Sequence, residues 1–342
     1  MDVQDLLEKL LRGDVPALAR AISIVENERP GFETLLSGAH RHLGRARRIG
    51  ITGPPGAGKS TLTERLVTAW RSRGVTVAVV AVDPTSPFTG GALLGDRIRM
   101  EAVALDRGVY IRSMASRGSL GGLATSTREV CDLLDAFGFD RILVETVGVG
   151  QSELDVARMA DSTMLVVVPE GGDGIQALKS GVMEAADLLV VNKADRPGAD
   201  RMRKELEGAL QIRRGNAGIR VTAHHGSLLK VQGPPPGADD EGWQPPVLPT
   251  SAVKGEGIAE VVDALDRHWA ALTAGGELVA RRRRRVHAMT REVADRALRR
   301  WLWQESDADA RLIARVDEVM TGRTSPYELA AELVDGFRQA SI

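Results

Sequence analysis

The hydrophobic pattern changes period twice along the chain. Leu6, Leu7, Leu10 and Leu11 recur at helical spacing, Gly13 interrupts them, and a second helical stretch runs over 14–27, so residues 2–45 read as helices. From Arg48 the texture becomes short β-rich apolar runs separated by helical segments: "RIGITG", "VTVAVVAVD", "GVYIRSM", "DRILVET", "TMLVVVPE", "DLLVVNK" and "PVLPTSA". Most of these runs are continuously apolar, as expected where helices cover both faces of a parallel sheet. The pattern predicts an α/β domain with a mostly parallel sheet of about seven strands and ligands at the strands' carboxyl ends.

After about Leu272 the strands stop, and "GGELVARRRRRVHAMTREVADRALRRWLWQ" reads as one long helix followed by two shorter ones. The last carries a full start signal: Ser325 as N-cap, Pro326 at the first helical position and Glu328 closing a capping box. The segment 224–246 is rich in Gly and Pro and is predicted to be a mobile surface loop without a regular element. The expected organisation is an N-terminal helical extension over 1–45, a nucleotide-binding domain over 46–272 and a C-terminal helical arm over 273–342.

Composition narrows the setting. Lys+Arg 45 against Asp+Glu 46 gives no electrostatic reason to expect nucleic acid or an acidic membrane as partner. The single Cys131 excludes an internal disulfide framework, the acidic start differs from a secretory signal, and no apolar run approaches the roughly 18 residues needed to span a bilayer. The expected location is the cytoplasm.

The chemistry is concentrated after "RIGIT". Gly53-Pro-Pro-Gly56-Ala57-Gly58-Lys59-Ser60 satisfies G-x-x-x-x-G-K-S between a strand and a helical stretch. Its glycines let backbone N–H groups point at phosphate oxygens, and the helix N-terminus adds positive potential. Lys59 is placed to neutralise the β- and γ-phosphates, and the Ser60 hydroxyl to coordinate Mg²⁺.

The base is chosen further on, where "LLVVNKAD" ends a buried run in Asn192-Lys193-Ala194-Asp195. Asp195 can accept from N1–H and the 2-amino group of guanine. Adenine lacks that donor pair and would leave a desolvated carboxylate unpaired, at roughly 1–3 kcal/mol. Lys193 is expected to lie along the base, and "TSAVKG" places Ser251, Ala252 and Val253 near the guanine carbonyl, where a backbone N–H can donate. The nucleotide is read as GTP/GDP, in a P-loop GTPase domain.

Between these motifs, "LVETVGVGQ" supplies Glu145 as a Mg²⁺ partner through water, and Gly148, whose N–H can contact the γ-phosphate. Asp83, ending the second strand, is a further Mg²⁺ candidate. In the Gly-rich stretch after it, Arg99 is a catalytic candidate, while Asp96, Arg97 and Arg99 also read as solvated helix residues. Gln151 is the candidate to orient the attacking water.

Together, "GPPGAGKST", "VDPTSPFTGGALLGDRIRM", "MASRGSLGGLA", "VETVGVGQSE", "PEGGDGIQALKSG" and "NKAD" resemble the MeaB-type GTPases, a family that includes the methylmalonic aciduria type A protein and proteins once labelled transport ATPases. The resemblance spans roughly residues 5–340. It implies a homodimeric G protein that gates adenosylcobalamin loading and protects an acyl-CoA mutase, usually methylmalonyl-CoA mutase. It assigns Lys59, Ser60 and Thr61 to phosphates and Mg²⁺, Asp83 and Glu145 to the metal, and Asn192, Lys193 and Asp195 to guanine. It also makes 170–181, with Lys179, a switch facing the mutase, and the C-terminal arm a dimerisation element. Which mutase is served stays open.

Two other classes compete. An ATP-dependent transport-linked kinase gains nothing from a guanine-reading Asp195. A GTPase of nickel-enzyme maturation would advertise a metal-rich site, whereas here only His224 and His225 adjoin. Arg281–Arg285 covers more than one helical turn and so reads as a solvated or dimer-spanning helix rather than a nucleic-acid patch. Trp301 and Trp303 read as interface or core anchors.

Overall fold

The structure, a computed structural model, describes residues 2–84, 100–116, 122–146, 152–169, 182–215, 219–224, 227–232 and 242–340. They form two compact units, Met1–Arg282 and Arg283–Ile342.

The first unit opens with α1 (Val3–Leu11), α2 (Val15–Glu26) and α3 (Phe32–Ala39). Asp2 and Asp14 cap the first two through their carboxylates. The sheet follows as β1 (Arg47–Thr52), β2 (Val77–Pro84), β3 (Val109–Ser116), β4 (Arg141–Thr146), β5 (Ser162–Val167) and β6 (Leu188–Val191). Between these strands run α4 (Lys59–Arg71), α5 (Glu101–Ala104), α6 (Gly122–Phe137), α7 (Ser152–Met159) and α8 (Val182–Ala185). Then come α9 (Ala199–Gly215), a hairpin of β7 (Ile219–His224) and β8 (Ser227–Gln232), β9 (Val247–Pro249) and α10 (Ile258–Ala274).

Seven strands pair in the order β3-β2-β4-β1-β5-β6-β9, every neighbour parallel. The continuous apolar runs are explained by what each strand face meets. Ala78, Val80, Val82, Ile142 and Val144 pack with the N-terminal helices and α6, while Val77, Val79, Ile49, Ile51, Leu143, Met164 and Val166 pack with α4 and α10. Each fully buried Val, Leu or Ile contributes roughly 1.5–3 kcal/mol. The N-terminal helices are thus part of the covering layer, not an appended tail.

The hairpin corrects the expectation of a segment without regular structure over 224–246. Ile219–His224 pairs antiparallel with Ser227–Gln232, from Ile219↔Gln232 to His224↔Ser227.

At the amino ends of the strands, buried carboxylates are clamped by arginines. Asp161, fully buried, accepts from Arg282 at 3.0 and 3.2 Å and from the backbone N–H of Arg48 at 3.0 Å. Asp187 accepts two 2.8 Å bonds from Arg281 and lies 3.3 Å from Nε2 of buried His268. Arg281 and Arg282 of the basic run are therefore spent on protein carboxylates.

The second unit contains the rest of α11 (Glu277–Arg300), whose start belongs to the first unit, then a π-helical turn at Trp301–Glu305, α12 (Ala308–Met320) and α13 (Pro326–Ala340). The capping box forms as predicted: Glu328 N–H donates to Ser325 Oγ at 3.2 Å and Ser325 N–H to Glu328 Oε2 at 2.7 Å. Arg315 bridges Glu318 and Glu332 across these helices.

Candidate nucleotide site

The parallel sheet brings the carboxyl ends of β1, β4, β6 and β9 to one edge, and the chemistry-bearing residues follow those ends. β1 runs into the glycine-rich loop. Gly53 has φ +138, and a Cβ there would lie 2.0 Å from the Val166 carbonyl oxygen, so only glycine lets the loop pass β5 this closely. At Gly58, with φ +84, a Cβ would meet Asn192 Nδ2 at 2.5 Å. Buried Lys59 opens α4 and donates to the carbonyls of Gly53 at 2.8 Å and Pro54 at 2.9 Å. Thr61 is half-buried one residue beyond Ser60.

Ser60 Oγ donates to Glu145 Oε1 at 2.7 Å, and Thr63 Oγ1 donates to Glu145 Oε2 at 2.9 Å; all three residues are buried. The β-register sets this contact, since Ile51 pairs with Glu145 two residues before Gly53. A hydroxyl and a carboxylate at this spacing are hard oxygen donors of the kind Mg²⁺ takes, and the residues present fit that ion. Among the described residues no group of three or more His, Cys, Asp and Glu is gathered. Asp83 stands one residue before the end of β2, opposite Ala115, but its side chain lies outside the described ones. Arg99, Gly148, Gln151 and 170–181 with Lys179 also lie outside the described residues.

The base-reading motifs meet the phosphate loop through Asn192. Its Nδ2 donates to the Ala57 carbonyl at 2.8 Å, and its Oδ1 accepts from Ala252 N–H at 3.1 Å and Thr250 Oγ1 at 3.3 Å. Lys193 adopts φ +58, a conformation costing a β-carbon-bearing residue on the order of 1–3 kcal/mol. It is held by the flanking bonds Ala194 N–H to Thr250 O at 2.8 Å and Arg196 N–H to Lys193 O at 2.9 Å. Asp195 accepts from Ser251 Oγ at 3.0 Å and lies 3.5 Å from Lys254 Nζ. The Ser251 bond, helped by the Lys254 charge, holds its carboxyl below the ordinary range, so it is an ionised acceptor at neutral pH.

The sequence points to Ser251, Ala252 and Val253 as backbone donors, yet the N–H groups of the first two are used inside the protein. That of Ser251 goes to the Glu256 carbonyl at 3.0 Å and that of Ala252 to Asn192. Thr63, Arg65, Thr250 and Lys254 are participants that motif reading missed. Thr63 stands one helical turn beyond Ser60 and Lys254 closes the quoted S-A-V-K run, so spacing could have found both. Arg65 left no local signal, because its partners lie 187 and 188 residues away.

A family-level sequence model described as "Methylmalonyl Co-A mutase-associated GTPase MeaB" matches residues 18–307. The chain belongs to the MeaB family. A putative GTPase of Pyrococcus horikoshii is 45% identical over 284 residues, covering 83% of each chain. The GTPase ArgK of Escherichia coli is 36% identical over 335 residues, 95% of this chain and 94% of that one. The crystal structure of a LAO/AO transport system kinase aligns with a TM-score of 0.64 at 29% identity, covering 98% of this chain and 97% of that one. As a MeaB-family member the chain is a nucleotide-binding GTPase on the α/β P-loop fold. Among the described residues, no helix is long and apolar enough to cross a membrane.

Proposed function

We propose that this GTPase hydrolyses GTP to GDP and phosphate while gating adenosylcobalamin loading into an acyl-CoA mutase, methylmalonyl-CoA mutase first among them, and protecting that enzyme. The observation that carries the reading is the MeaB family match over 18–307, whose description names association with that mutase.

The nucleotide lies with its phosphates over Gly53–Thr61 and its base between Asp195 and the 251–254 turn. Asp195 takes N1–H and the 2-amino group of guanine, and its ionised state supports that role. Lys59 neutralises phosphate charge; Ser60, Glu145 and Asp83 hold Mg²⁺. When bound, the ion supplies charge neutralisation at the β- and γ-phosphate oxygens. The segment 170–181, with Lys179, is the part that senses the mutase, and the protein works as a homodimer through its C-terminal helices in the cytoplasm. Exposed Leu298, Trp301, Trp303 and Tyr327 in that unit support the last reading.

The test is complex formation. The chain loaded with a non-hydrolysable GTP analogue should co-elute with the methylmalonyl-CoA mutase of the same cell on size exclusion. Separate elution in every nucleotide state would overturn the assignment.

A further inference from the structure

Arg65 stands on the outer side of α4, seven residues beyond the last loop glycine, in no recognised motif. Its guanidinium nevertheless grips the base-side turn: Nε donates to the Ala252 carbonyl at 2.9 Å, and a terminal nitrogen donates to the Val253 carbonyl at 2.9 Å. The same turn is closed on itself by Ser251 N–H to Glu256 O at 3.0 Å and Glu256 N–H to Ser251 O at 3.1 Å. Its other tether to the phosphate loop is Asn192, which takes Ala252 N–H and gives to Ala57 O.

A trans peptide is planar, so the carbonyl of one residue and the N–H of the next point to opposite sides. Fixing the carbonyls of Ala252 and Val253 on the α4 side therefore aims the N–H groups of Val253 and Lys254 the other way. With the Ser251 and Ala252 N–H groups already used, these two are the donors the turn can offer to a base carbonyl. A fork with two donors suits the task, because it fixes two successive peptide planes at once.

We propose that Arg65 is a specificity-positioning residue. It locks the 251–254 turn so that the backbone N–H groups of Val253 and Lys254 face the 6-oxo group of guanine, and it ties that turn to the helix that begins at the phosphates. The inference rests on the reading that the base sits between Asp195 and this turn.

The experiment compares GDP with 2,6-diaminopurine riboside diphosphate, which keeps the phosphates, ribose and 2-amino group but carries a 6-amino group in place of the oxygen and an N1 without hydrogen; the bond this loses to Asp195 is lost in every protein compared, so it cancels when their preferences are compared. Affinities are measured by competition against fluorescent GDP for the wild type, R65M and R65K. R65M should weaken GDP about tenfold and leave the diaminopurine nucleotide within about twofold, so the preference between them shrinks about tenfold. R65K, with one compact donor head, should recover part of the preference. A role confined to supporting α4 would weaken both nucleotides equally; an unchanged ratio in R65M and R65K overturns the proposal. A parallel D195N arm separates the two levels. If D195N exchanges GDP for xanthosine diphosphate while the Arg65 ratio stays fixed, only the Arg65 proposal fails. If D195N keeps GDP, the base-site reading fails and the proposal with it.

Discussion

Ser60 Oγ lies 2.7 Å from Glu145 Oε1, joining the first turn of the phosphate-loop helix to the end of the neighbouring strand. Glu145 brings one methylene more to this strand end than an aspartate would. The extra methylene adds a torsion, and Thr63, 2.9 Å from the other oxygen, restrains it.

Thr63→Val keeps the shape and removes that donor. The expected cost is about 1–3 kcal/mol of stability, since the carboxylate is buried. The Mg²⁺ concentration needed for half-maximal GTP hydrolysis should rise several-fold, and Thr63→Ser should restore it. A magnesium titration identical to wild type would remove Thr63 from the metal site.

Asp195→Asn exchanges an acceptor for a donor at the guanine edge. The variant should lose GTP and gain xanthosine triphosphate, seen by competition binding. Retention of GTP affinity within a few-fold would contradict the assignment.

Asp187 offers a pH test far from the nucleotide. Burial pushes its carboxyl up, but His268 and Arg281 outweigh that and hold it below the ordinary value. A carboxyl depressed in the fold adds stability that is complete above its unfolded pKa of about 3.9 and is lost as pH falls through the lower folded value. Asp187→Asn should therefore destabilise at neutral pH by about 3–5 kcal/mol, by leaving Arg281 without its carboxylate, and flatten the acid limb of the stability curve. Parallel acid limbs for both proteins, measured by urea unfolding from about pH 2 to pH 6, would sink this account of the clamp.

In the C-terminal helices Leu298, Trp301, Trp303, Ile313, Met320 and Tyr327 are exposed. Full-length protein should sediment as a dimer at micromolar concentration, and a chain ending at Arg282, which retains both arginine clamps, should be a monomer that still binds GDP. A monomeric full-length protein would count against the arm as dimer contact.

Local chemistry was legible in the sequence, and contacts across long separations were not. The strands of the sheet were readable because residues such as Val77 to Val82 meet helices on both faces, which leaves no polar alternation to confuse with a helix. The Ser325–Glu328 box was readable because both partners lie within one helical turn. The hairpin at 219–232 was hidden by the Gly- and Pro-rich stretch that follows it, although Ile219, Val221 and Ala223 alternate. Arg65 and Arg281 were unreadable for another reason: an exposed charge and a clamp look alike in sequence until the fold brings their partners near. Arg281 in particular sits in a run whose composition suggests solvent, yet it closes on buried Asp187.

The most direct test of the account is steady-state GTP hydrolysis by the full-length chain with and without the cobalamin-dependent mutase of the same cell, at saturating Mg²⁺. A partner that prefers one arrangement of an element near the γ-phosphate shifts the rate by its differential affinity, commonly 1–3 kcal/mol. The predicted result is an acceleration of about fivefold or more with the mutase present. An unchanged rate at mutase concentrations above those of the GTPase would contradict it.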